Sequence, residues 1–417
     1  MDRHLLDRMF REAVAQAQPA LAVRQHLPER PRGRSIVIGA GKASAQMARA
    51  FELAWDGPIT GLVVTRYGYA EACERIEIVE ASHPVPDEAG FEAARQMMAM
   101  VQGLGADDLV VALISGGGSA LLPAPAPGLT FEDEQAINRM LLASGAPIGV
   151  MNLIRNQFST IKGGRLAALC APAQVATLVV SDVPGDDPAL VASGPTIPLS
   201  GSRALARQYV ELYRLDLPPE AKSLLAGEDN LAPLSDDAVF ARNSVTTIAS
   251  ATLSLEAAAA MARAAGVEAA ILSDSIEGEA RDVAQVHAAM AREIAVRNRP
   301  FSKPVVLLSG GETTVTLRGK GRGGRNGEFL LALAIAIDGV DGTTALAADT
   351  DGIDGSENNA GAFVDGGTAT RLRQAGIDPL AALAANDAYT AFAAIGDLLV
   401  TGPTGTNVND FRAILIR

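Results

Sequence analysis

Two groups of aspartates give this chain its clearest chemical signal. Each group follows a short apolar run that is typical of a buried strand, and the members are Asp182, Asp186, Asp187, Asp349, Asp351 and Asp354. Mg²⁺ prefers hard oxygen ligands, usually one or two carboxylates with substrate phosphates and water. A further carboxylate can accept the proton of an attacking hydroxyl. We therefore predict metal-assisted phosphoryl transfer, in which Asp182, Asp187 and Asp351 bind Mg²⁺ or act as base. Asp354, in an Asp-Gly pair, is as often part of a plain turn.

Three glycine-rich turns supply groups that can hold an anion. Each follows an apolar run, and together they contribute the candidate binding residues Gly39, Gly41, Ser44, Ser115, Gly116, Gly117, Gly118, Ser119, Gly310, Gly311 and Glu312. Glycine lets backbone N–H groups approach an anion closely, and the N-terminus of a following helix adds to the attraction. Lys42, inside the first turn, is expected to hold an anion as the lysine of a P-loop does, although the full P-loop spacing is absent. A solvated lysine at a helix start is the alternative.

The chain is acidic overall, with a formal net charge of −13. This charge disfavours nucleic acids and acidic membrane surfaces as partners, because both repel a protein of the same sign. An anionic small molecule would then need a local group of cations. Such cations lie at or near the glycine turns, and they are Lys42, Arg155, Lys162, Arg165, Arg318, Lys320, Arg322 and Arg325. We predict small-molecule substrates, and homo-oligomer formation is left open.

The first glycine turn also supports a second interpretation. With its preceding apolar run, GAGKAS resembles a dinucleotide-binding fingerprint with serine in the third glycine position. The next predicted strand ends at Arg66 and Tyr67, whereas NAD binding uses an acidic residue there for the ribose hydroxyl. Arg66 could instead accept a 2′-phosphate, so an NADP-dependent reductase is an alternative. His83, in a turn, is either a substrate contact or a turn-stabilising residue.

Length and composition predict two globular domains of the α/β class. The 417 residues exceed the ~250–300 residues at which single cores stop growing, and 48% hydrophobic against 20% charged residues suits a packed core. Short apolar strands alternate with alanine-rich helices, which predicts largely parallel sheets. We expect a Rossmann-like domain over residues 1–237, beginning with a helix at 3–27, and a C-terminal α/β domain over 238–417. The best linker candidate lies within 198–237.

The sequence has features of a cytoplasmic protein. Its first residues predict an amphipathic helix with charges throughout rather than a signal peptide. Its longest apolar run, FLLALAIAI, is too short to span a bilayer. Two cysteines, Cys73 and Cys170, do not make a disulfide framework. We therefore expect a reducing, cytoplasmic environment.

The order of chemically loaded turns is similar in the two halves of the chain. In each half a glycine turn is followed by a Gly-Gly-Arg helix start and then by an aspartate-rich strand end. These features lie at Ser115, Arg165 and Asp182 in the first half and at Ser309, Arg325 and Asp351 in the second. One hypothesis is a duplication whose two α/β halves face each other across a cleft. Because the spacings differ, convergence on the same strand-and-turn pattern is the alternative.

Seven segments, taken together and in order, carry a resemblance to a known family. They are GAGKAS, SGGGSALLPAP, NLIRNQFSTIKGGRLA, SDVPGDDPALVASGPT, SGGETTVTLRGKGRGGRNGEFLLALA, AADTDGIDG and TGPTGTNVNDF. They resemble the class II glycerate 2-kinases, whose C-terminal part is the MOFRL domain, over nearly the whole chain. The resemblance implies phosphorylation of D-glycerate at its 2-hydroxyl by ATP and Mg²⁺, in a cleft between two α/β domains. Some relatives are named hydroxypyruvate reductase, from tartrate degradation, and this is the chief alternative.

The resemblance also assigns roles to individual positions. The cleft lysine of the family falls on Lys42, its glycine-loop serines on Ser115 and Ser119, and its cleft arginine on Arg325. Its strand-end acids fall on the three aspartates Asp182, Asp187 and Asp351. The matched segments add Arg155, Lys162, Asn326, Thr406 and Asn407 to the candidate substrate-binding or nucleotide-binding residues. Which aspartate is the base and which binds the metal stays open.

Overall fold

The computed structural model describes residues 2–183, 185–199, 201–227, 233 and 237–417. Among the helices in these residues, none has the length and apolar character needed to cross a membrane. The chain forms two compact units. The N-terminal unit consists of Pro19–Val183 and Asp187–Ile248, and the C-terminal unit of the residues up to Gln18, a short piece at Gly185 and Asp186, and Ala249–Arg417.

Fourteen strands are present in the described residues. They are β1 (Ser35–Ala40), β2 (Thr60–Arg66), β3 (Ile76–Ala81), β4 (Leu109–Ser115), β5 (Gln174–Val180), β6 (Ser244–Ala249), β7 (Glu268–Ser273), β8 (Gly278–Glu279), β9 (Val305–Gly311), β10 (Thr313–Thr314), β11 (Thr343–Asp349), β12 (Gly361–Asp365), β13 (Leu398–Leu399) and β14 (Asp410–Ile416).

Sixteen α-helices are present in the same residues. They are α1 (Asp2–Gln16), α2 (Pro19–Gln25), α3 (Ser44–Ala54), α4 (Glu88–Met100), α5 (Gly118–Leu121), α6 (Phe131–Ala143), α7 (Ile148–Gln157), α8 (Arg165–Leu169), α9 (Arg203–Leu212), α10 (Pro219–Ala226), α11 (Ala251–Ala264), α12 (Ala280–Arg297), α13 (Arg325–Ala336), α14 (Thr368–Gln374), α15 (Pro379–Ala384) and α16 (Ala388–Ile395).

The N-terminal unit is built on a six-stranded sheet in the order β3-β2-β1-β4-β5-β6. Strand β1 pairs in parallel with β2 and β4, and β4 pairs in parallel with β5. Strand β4 is buried at every position, which explains its continuous apolar sequence. Because parallel strands end at the same edge of a sheet, the carboxyl ends of β1, β4 and β5 and the loops that follow them lie together. This edge carries Lys42, Ser115 and Asp182.

A second group of apolar side chains in the N-terminal unit holds four helices together. The group joins α6, α7, α9 and α10 through Ile137, Leu141, Leu153, Phe158 and Leu225. Helices α9 and α10 lie inside the predicted linker 198–237, so the described part of that segment is largely helical. Residues 200, 228–232 and 234–236 of the predicted linker lie outside the described residues. The predicted boundary between 237 and 238 stays a prediction.

The C-terminal unit is built on a second six-stranded sheet, in the order β13-β12-β11-β14-β9-β7. Here β7 and β9 are parallel, whereas β14 runs antiparallel to both β9 and β11, and β12 runs antiparallel to β11. The α/β fold class is confirmed, but this sheet is mixed rather than largely parallel. The last strand of the chain, β14, lies antiparallel between β9 and β11, and the β11–β12 and β12–β13 pairs are antiparallel as well.

This topology contradicts the duplication hypothesis. The glycine turn at Ser115 follows β4, which has parallel neighbours on both sides. The turn at Ser309 falls within the last part of β9, which has one parallel and one antiparallel neighbour. The aspartates of the first half follow β5, directly beside β4, while those of the second half follow β11, with β14 between it and β9. The similar order of turns therefore reflects convergence.

The start of the chain differs from the single helix expected at 3–27. Helix α1 ends at Gln16 and a second helix, α2, begins at Pro19, because a proline is favoured in a first helical turn and disfavoured in a helix interior. Helix α1 belongs to the C-terminal unit, where Leu6, Met9 and Phe10 pack into the core under α11. The Phe10 ring contacts the Phe411 ring edge to face, with 5.7 Å between centroids.

Candidate active site

In the N-terminal unit, the turns after β1 and β4 hold each other in place. The Ala43 N–H donates a hydrogen bond of 3.0 Å to Ser115 Oγ, which also lies 3.0 Å from Ser44 Oγ. The Lys42 N–H donates to the Gly116 carbonyl at 2.9 Å. Gly41 has φ +144°, and a Cβ at that position would lie 2.1 Å from Ser115 Oγ. Only glycine fits there, so the glycine pattern has a packing cause.

Three candidate functional side chains border the next part of the β4 turn. A Cβ on Gly116 would lie 1.7 Å from Oδ2 of Asp182. A Cβ on Gly117 would lie 3.1 Å from both the His83 ring and Cε of Lys42. The two glycines therefore leave room for an acid, an imidazole and an amine around one turn. Within the described residues the Lys42 amine makes no hydrogen bond or ion pair, so it is available to a ligand.

His83 is a neutral imidazole near neutral pH. Burial lowers its pKa to about 4, and the charges of Lys42 and Arg66 act in the same direction. Its ring lies beside Gly117, and the choice between a substrate contact and a turn-stabilising role stays a prediction. A neutral imidazole donates a hydrogen bond through one nitrogen and accepts one through the other. It can therefore orient a hydroxyl group without adding charge.

Ser119 and Arg155 are linked through a buried polar chain. Ser119 Oγ lies 2.8 Å from Ser193 Oγ, and Ser193 donates to Asn152 Oδ1 at 2.7 Å. Arg155 donates to the same amide oxygen at 3.2 Å and to Asn138 Oδ1 at 2.9 Å. Burial lowers the pKa of Arg155 to about 10. Arg155 is thus connected to Ser119 through the side chains of Asn152 and Ser193.

Lys162 is buried and has its own partners. Its amine donates to the Leu122 carbonyl at 2.8 Å and to Glu134 at 3.0 Å. The cavity beside it, also lined by Arg155 and Phe158, has a volume of about 10 Å³. A space of this size admits no more than one water molecule. Lys162 therefore has structural contacts to Glu134 and Leu122, and the described residues leave no space beside its amine for a substrate.

The predicted metal ligands of the N-terminal unit lie on the loop after β5. Asp182 is half-buried beside Gly116, whereas Asp187 is exposed and accepts a hydrogen bond of 3.0 Å from the Ala189 N–H. The described residues contain no group of three or more His, Cys, Asp or Glu side chains in metal-binding proximity. Mg²⁺ needs only one or two carboxylates when substrate phosphates complete its shell. The assignment of metal ligands stays a prediction.

In the C-terminal unit, Arg325 is the centre of an ion-pair network. Its guanidinium group donates to Asp349 and to Asp410 at 2.7 Å each, and to Glu312 at 2.9 Å. Burial lowers the pKa of Arg325, but the charges of Asp410 and Asp349 outweigh burial and raise it. Burial raises the pKa of Asp349 in spite of the nearby guanidinium. Arg325 is thus fixed firmly at the start of α13.

Asp354 binds the N-terminus of α13. Its carboxylate accepts hydrogen bonds of 2.9 Å from the Asn326 N–H and 2.8 Å from the Gly327 N–H. Burial raises the pKa of Asp354 to about 6 even though both N–H groups oppose the shift. The Asn326 side chain donates to Asp410 at 2.8 Å. Asp354 is therefore a helix-capping residue, and the plain-turn alternative considered from the sequence understates its role.

Sequence reasoning missed Asp410 and Arg412. Arg412 is fully buried, pairs with Asp410, and donates to the Gly310 carbonyl and to Thr313 Oγ1 at 3.2 Å each. Asp410 in turn binds Arg325, so a buried charge pair connects the Gly310 turn to α13. The signal was present in DFRAILI, because charged residues in a strand that is otherwise apolar need buried partners.

The remaining predicted residues of the C-terminal unit take up separate positions. Asp351 is half-buried and accepts a hydrogen bond of 2.8 Å from the Ile353 N–H. Thr406 is buried and donates to the Ala17 carbonyl at 2.8 Å, which places it in the support of α1. Asn407 accepts from the Asn409 N–H at 2.9 Å. Thr406 thus has a structural contact where a ligand contact was predicted.

Close backbone packing requires glycine at position 311 and leaves little room for a side chain at Gly310, at the end of β9. Gly311 has φ +112°, and a Cβ there would lie 2.3 Å from the Ile276 backbone. A Cβ on Gly310 would lie 3.3 Å from the carbonyl oxygens of Asp274 and Asp410. The Gly310 carbonyl already accepts a hydrogen bond of 3.1 Å from the Ile276 N–H. The glycine pattern of this turn therefore has a structural cause of its own.

A cavity of about 220 Å³ lies beside the start of α13. It is lined by Thr313, Val315, Leu317, Gly323, Gly324, Arg325, Glu328, Gly355 and Asn386. Glycine backbone, one arginine and several apolar side chains are the kind of lining that binds a small polar molecule. Only Arg325 of this set was among the predicted site residues.

The fold and these candidate sites define an α/β protein with glycine turns and carboxylates at the ends of its strands. Residues 5–226 match the family described as "Domain of unknown function (DUF4147)", and residues 305–410 match the MOFRL family. The chain is 38% identical to the D-glycerate 2-kinase of Thermotoga maritima, over 98% of this chain and 97% of the relative. The chain therefore belongs to the glycerate kinase family that combines DUF4147 and MOFRL regions.

Two further similarities bear on function. The solved structure of glycerate kinase from Thermotoga maritima matches with a TM-score of 0.91 and 38% identity, covering 99% of each chain. A relative from Agrobacterium vitis, 53% identical over 99% of this chain and 94% of the relative, is named "Putative hydroxypyruvate reductase". The two names correspond to the kinase that the sequence predicted and to its chief alternative, the reductase.

Proposed function

We propose that the protein is a glycerate 2-kinase. In the proposed reaction, the 2-hydroxyl oxygen of D-glycerate forms a bond to the γ-phosphorus of ATP, and the bond from that phosphorus to the bridging oxygen of ADP breaks. The hydroxyl proton passes to a carboxylate. The products are 2-phosphoglycerate and ADP. Mg²⁺, when bound, neutralises charge on the phosphate oxygens.

The observation that carries this proposal is the placement of Lys42 and Asp182 at one turn. Both side chains border the adjacent glycines Gly116 and Gly117, in the space that larger residues would fill. A cation there can offset charge on a transferring phosphoryl group. A carboxylate there can bind Mg²⁺ or accept the hydroxyl proton. A small space with one group of each sign supports phosphoryl transfer.

The arrangement gives less support to a dinucleotide-dependent reductase. In dinucleotide-binding folds, the pyrophosphate binds N–H groups at the start of the first helix. Here the Ala43 N–H is bonded to Ser115 and the Lys42 N–H to Gly116, so a pyrophosphate would have to displace both contacts. Strand β2 ends at Arg66, whose guanidinium lies 3.6 Å from the Tyr69 ring centroid. The described end of β2 thus offers no acid for a ribose.

The carboxylates fit the proposed metal. Asp187 and Asp351 each use one oxygen, Oδ1, for a backbone N–H. The second oxygen of each accepts no hydrogen bond from the described residues, and a free carboxylate oxygen is the ligand type that Mg²⁺ prefers. Together with Asp182, these residues remain the proposed Mg²⁺ ligands and bases. Arg325 and Asn326 remain proposed binding residues on α13.

Two finer features belong to the same proposal. The strand order of the N-terminal unit matches the order of the doubly wound dinucleotide fold, so we describe this unit as Rossmann-like. Both cysteines are free thiols, which suits the reducing cytoplasm.

Two assays on the purified protein distinguish the candidate functions. In the first, D-glycerate, ATP and Mg²⁺ are mixed with enzyme, and ADP and 2-phosphoglycerate are quantified. In the second, hydroxypyruvate is mixed with NADH or NADPH and the loss of reduced cofactor is followed. We expect Mg²⁺-dependent product in the first assay that EDTA abolishes, and no turnover in the second. Turnover in the second assay alone would establish the reductase function.

Replacement of Lys42 by Met tests the proposed site. Loss of a fixed cation at the transferring group should lower kcat by about 10²–10³-fold, with little change in stability because the amine has no described partner. Lys222→Met is the matched control, since Lys222 is an exposed lysine of the same unit that pairs with Asp216. Equal turnover of the two variants would show that Lys42 lies outside the catalytic site.

A further inference from the structure

A second group of cations lies in the N-terminal unit, away from Lys42 in the sequence. Arg165 begins α8, and Arg203, which is 8% exposed, begins α9. The two guanidinium groups interact electrostatically: burial, and after it the charge of Arg203, lowers the pKa of Arg165 to about 10. Neither arginine forms an ion pair with a carboxylate of the described residues. Two like charges near each other in a partly buried place are costly without a counterion.

An uncompensated amide lies beside the Arg165 guanidinium group. Asn156, in the last turn of α7, is 3% exposed, and neither its Nδ2 nor its Oδ1 has a hydrogen-bond partner in the described part of the chain. A Cβ built on Gly163 would lie 3.0 Å from Asn156 Nδ2 and 3.3 Å from an Arg165 guanidinium nitrogen. Both donors therefore border the space above one glycine. A buried amide with both atoms unpaired costs free energy unless a ligand or water satisfies it.

Among the described residues, the other charged groups of this region do not neutralise the arginines. Lys162 and Glu134 pair with each other, and the Lys162 carbonyl accepts a hydrogen bond of 2.9 Å from Arg165. That bond fixes the guanidinium and leaves its charge in place. Arg207, on the same helix as Arg203, donates to the Leu225 carbonyl at 2.8 Å.

We propose that Arg165, Arg203 and Asn156 form a binding site for a phosphate group. Two guanidinium groups match the charge of a phosphate dianion, and their forked N–H groups suit its tetrahedral oxygens. The Asn156 amide adds a donor with no other use in the described residues. The phosphate group can belong to free inorganic phosphate or to a phosphorylated hydroxy acid. The proposed phosphate site shares no residue with the Lys42 turn, and it does not depend on the proposed kinase function.

Calorimetric titration of full-length protein with inorganic phosphate, and separately with 2-phosphoglycerate, tests the proposal. The titrations use Lys42→Met protein as background, so that phosphate bound at the proposed catalytic site does not contribute. Arg165→Met, Arg203→Met and Asn156→Leu are each added to this background. Each should weaken phosphate binding by about tenfold or more, because a hydrogen bond to a charged group contributes about 1.5–3 kcal/mol. Tighter binding of 2-phosphoglycerate than of phosphate would identify the phosphorylated acid as the ligand.

Arg139→Met is the matched control, because Arg139 is an exposed arginine on α6 of the same unit. It removes the same charge and should leave phosphate affinity within about twofold. Thermal unfolding without phosphate gives an independent readout. Arg203→Met and Asn156→Leu should unfold at a higher temperature than the background protein, since each removes an uncompensated group. Unchanged phosphate affinity in Arg165→Met and Asn156→Leu, or a fall in melting temperature in both Arg203→Met and Asn156→Leu, would overturn the proposal.

Discussion

At the scale of single residues, His83 connects the candidate site to pH. Its folded-state pKa is about 4, below the ordinary value of 6.5. Between these two values the unfolded chain takes up a proton that the folded protein refuses, so acidification through this window lowers the free energy of unfolding. We predict that His83→Gln removes about 1–2 kcal/mol of this acid destabilisation, after allowance for solvent screening. Urea unfolding of both proteins at pH 4 and pH 7 measures the difference, and parallel pH profiles would contradict it.

Arg325 is a proposed binding residue and also the centre of an ion-pair network, so a loss of activity in its variants can have a structural cause. Arg325→Ala leaves the carboxylates of Asp349 and Asp410 without their shared cation in a buried place. We predict a loss of about 3–5 kcal/mol in the free energy of unfolding. Arg325→Lys keeps the charge and should lose less stability. Denaturant unfolding compares the two variants, and equal stability of Arg325→Ala and wild type would show that the network contributes nothing.

The residues of the candidate site differ in how well their positions could be predicted from the sequence. Residue types and glycine spacing were sufficient to predict the grouping of Lys42, Ser115 and Asp182, because parallel strands bring their following loops to one edge. The burial of Lys162 and Thr406 could not be predicted, since it depends on partners such as Glu134 and Ala17 that are distant in the sequence. Asp410 and Arg412 were partly predictable. Two charges in an apolar strand indicate a buried ion pair, but they do not indicate which groups of the fold surround it.

At the scale of elements, helix α13 depends on a carboxylate from another segment. Asp354 binds the first N–H groups of α13 and has a folded-state pKa of about 6, above the ordinary 3.8. Because the folded protein holds this proton more tightly, the contribution of Asp354 to stability falls as pH rises from about 4 to about 6.

We predict that Asp354→Asn reduces stability at pH 4, where a capping hydrogen bond worth about 1 kcal/mol is lost. Relative to wild type, the variant should then gain about 2–3 kcal/mol between pH 4 and pH 7. Thermal unfolding at both pH values measures this change. Asp378→Asn is a control, since Asp378 caps the N-terminus of α15 and is exposed at the surface. A stability difference that does not vary with pH would contradict the prediction.

Helices and strands were predictable where the hydrophobic periodicity and the length of a segment indicated the same type of element. The strands β1, β4 and β9 are continuous apolar runs between glycines or prolines, and each forms at the expected place. The direction of β14 was not predictable, because an apolar strand carries no sequence signal that distinguishes a parallel from an antiparallel neighbour. The C-terminal sheet is mixed because β14 and β12 both run antiparallel to β11.

At the scale of the whole molecule, the position of an element in the sequence does not always determine the unit to which it belongs. Helix α1 is the first element, yet its apolar face lies in the core of the C-terminal unit. The amphipathic pattern of α1 predicts that the helix packs on an apolar surface, but it does not identify that surface. The sequence therefore predicts α1 in the N-terminal domain, with its neighbours in the sequence. The ion pair of 2.9 Å between Asp2 and Arg417 brings the two ends of the chain together within this unit.

Because the two ends of the chain lie close together, the contribution of α1 to the C-terminal unit can be tested directly. Residues 249–417 alone should fold poorly, because they lack Leu6, Met9 and Phe10, each of which contributes about 1.5–3 kcal/mol through burial. The sum is comparable with the total stability of a typical domain, about 5–15 kcal/mol. A circular permutant that joins Arg417 to residues 2–18 by a short glycine-serine linker should restore cooperative unfolding, since the linker spans only the distance between neighbouring ends.

A second permutant, with Leu6, Met9 and Phe10 replaced by serine, separates the effect of the buried helix face from that of added chain length. Near-ultraviolet circular dichroism and thermal unfolding compare the three proteins. We expect the serine permutant to behave like residues 249–417 alone, because it restores the chain without the apolar contacts of α1. If residues 249–417 alone unfold as cooperatively as the first permutant, α1 is dispensable and its packing does not define the unit.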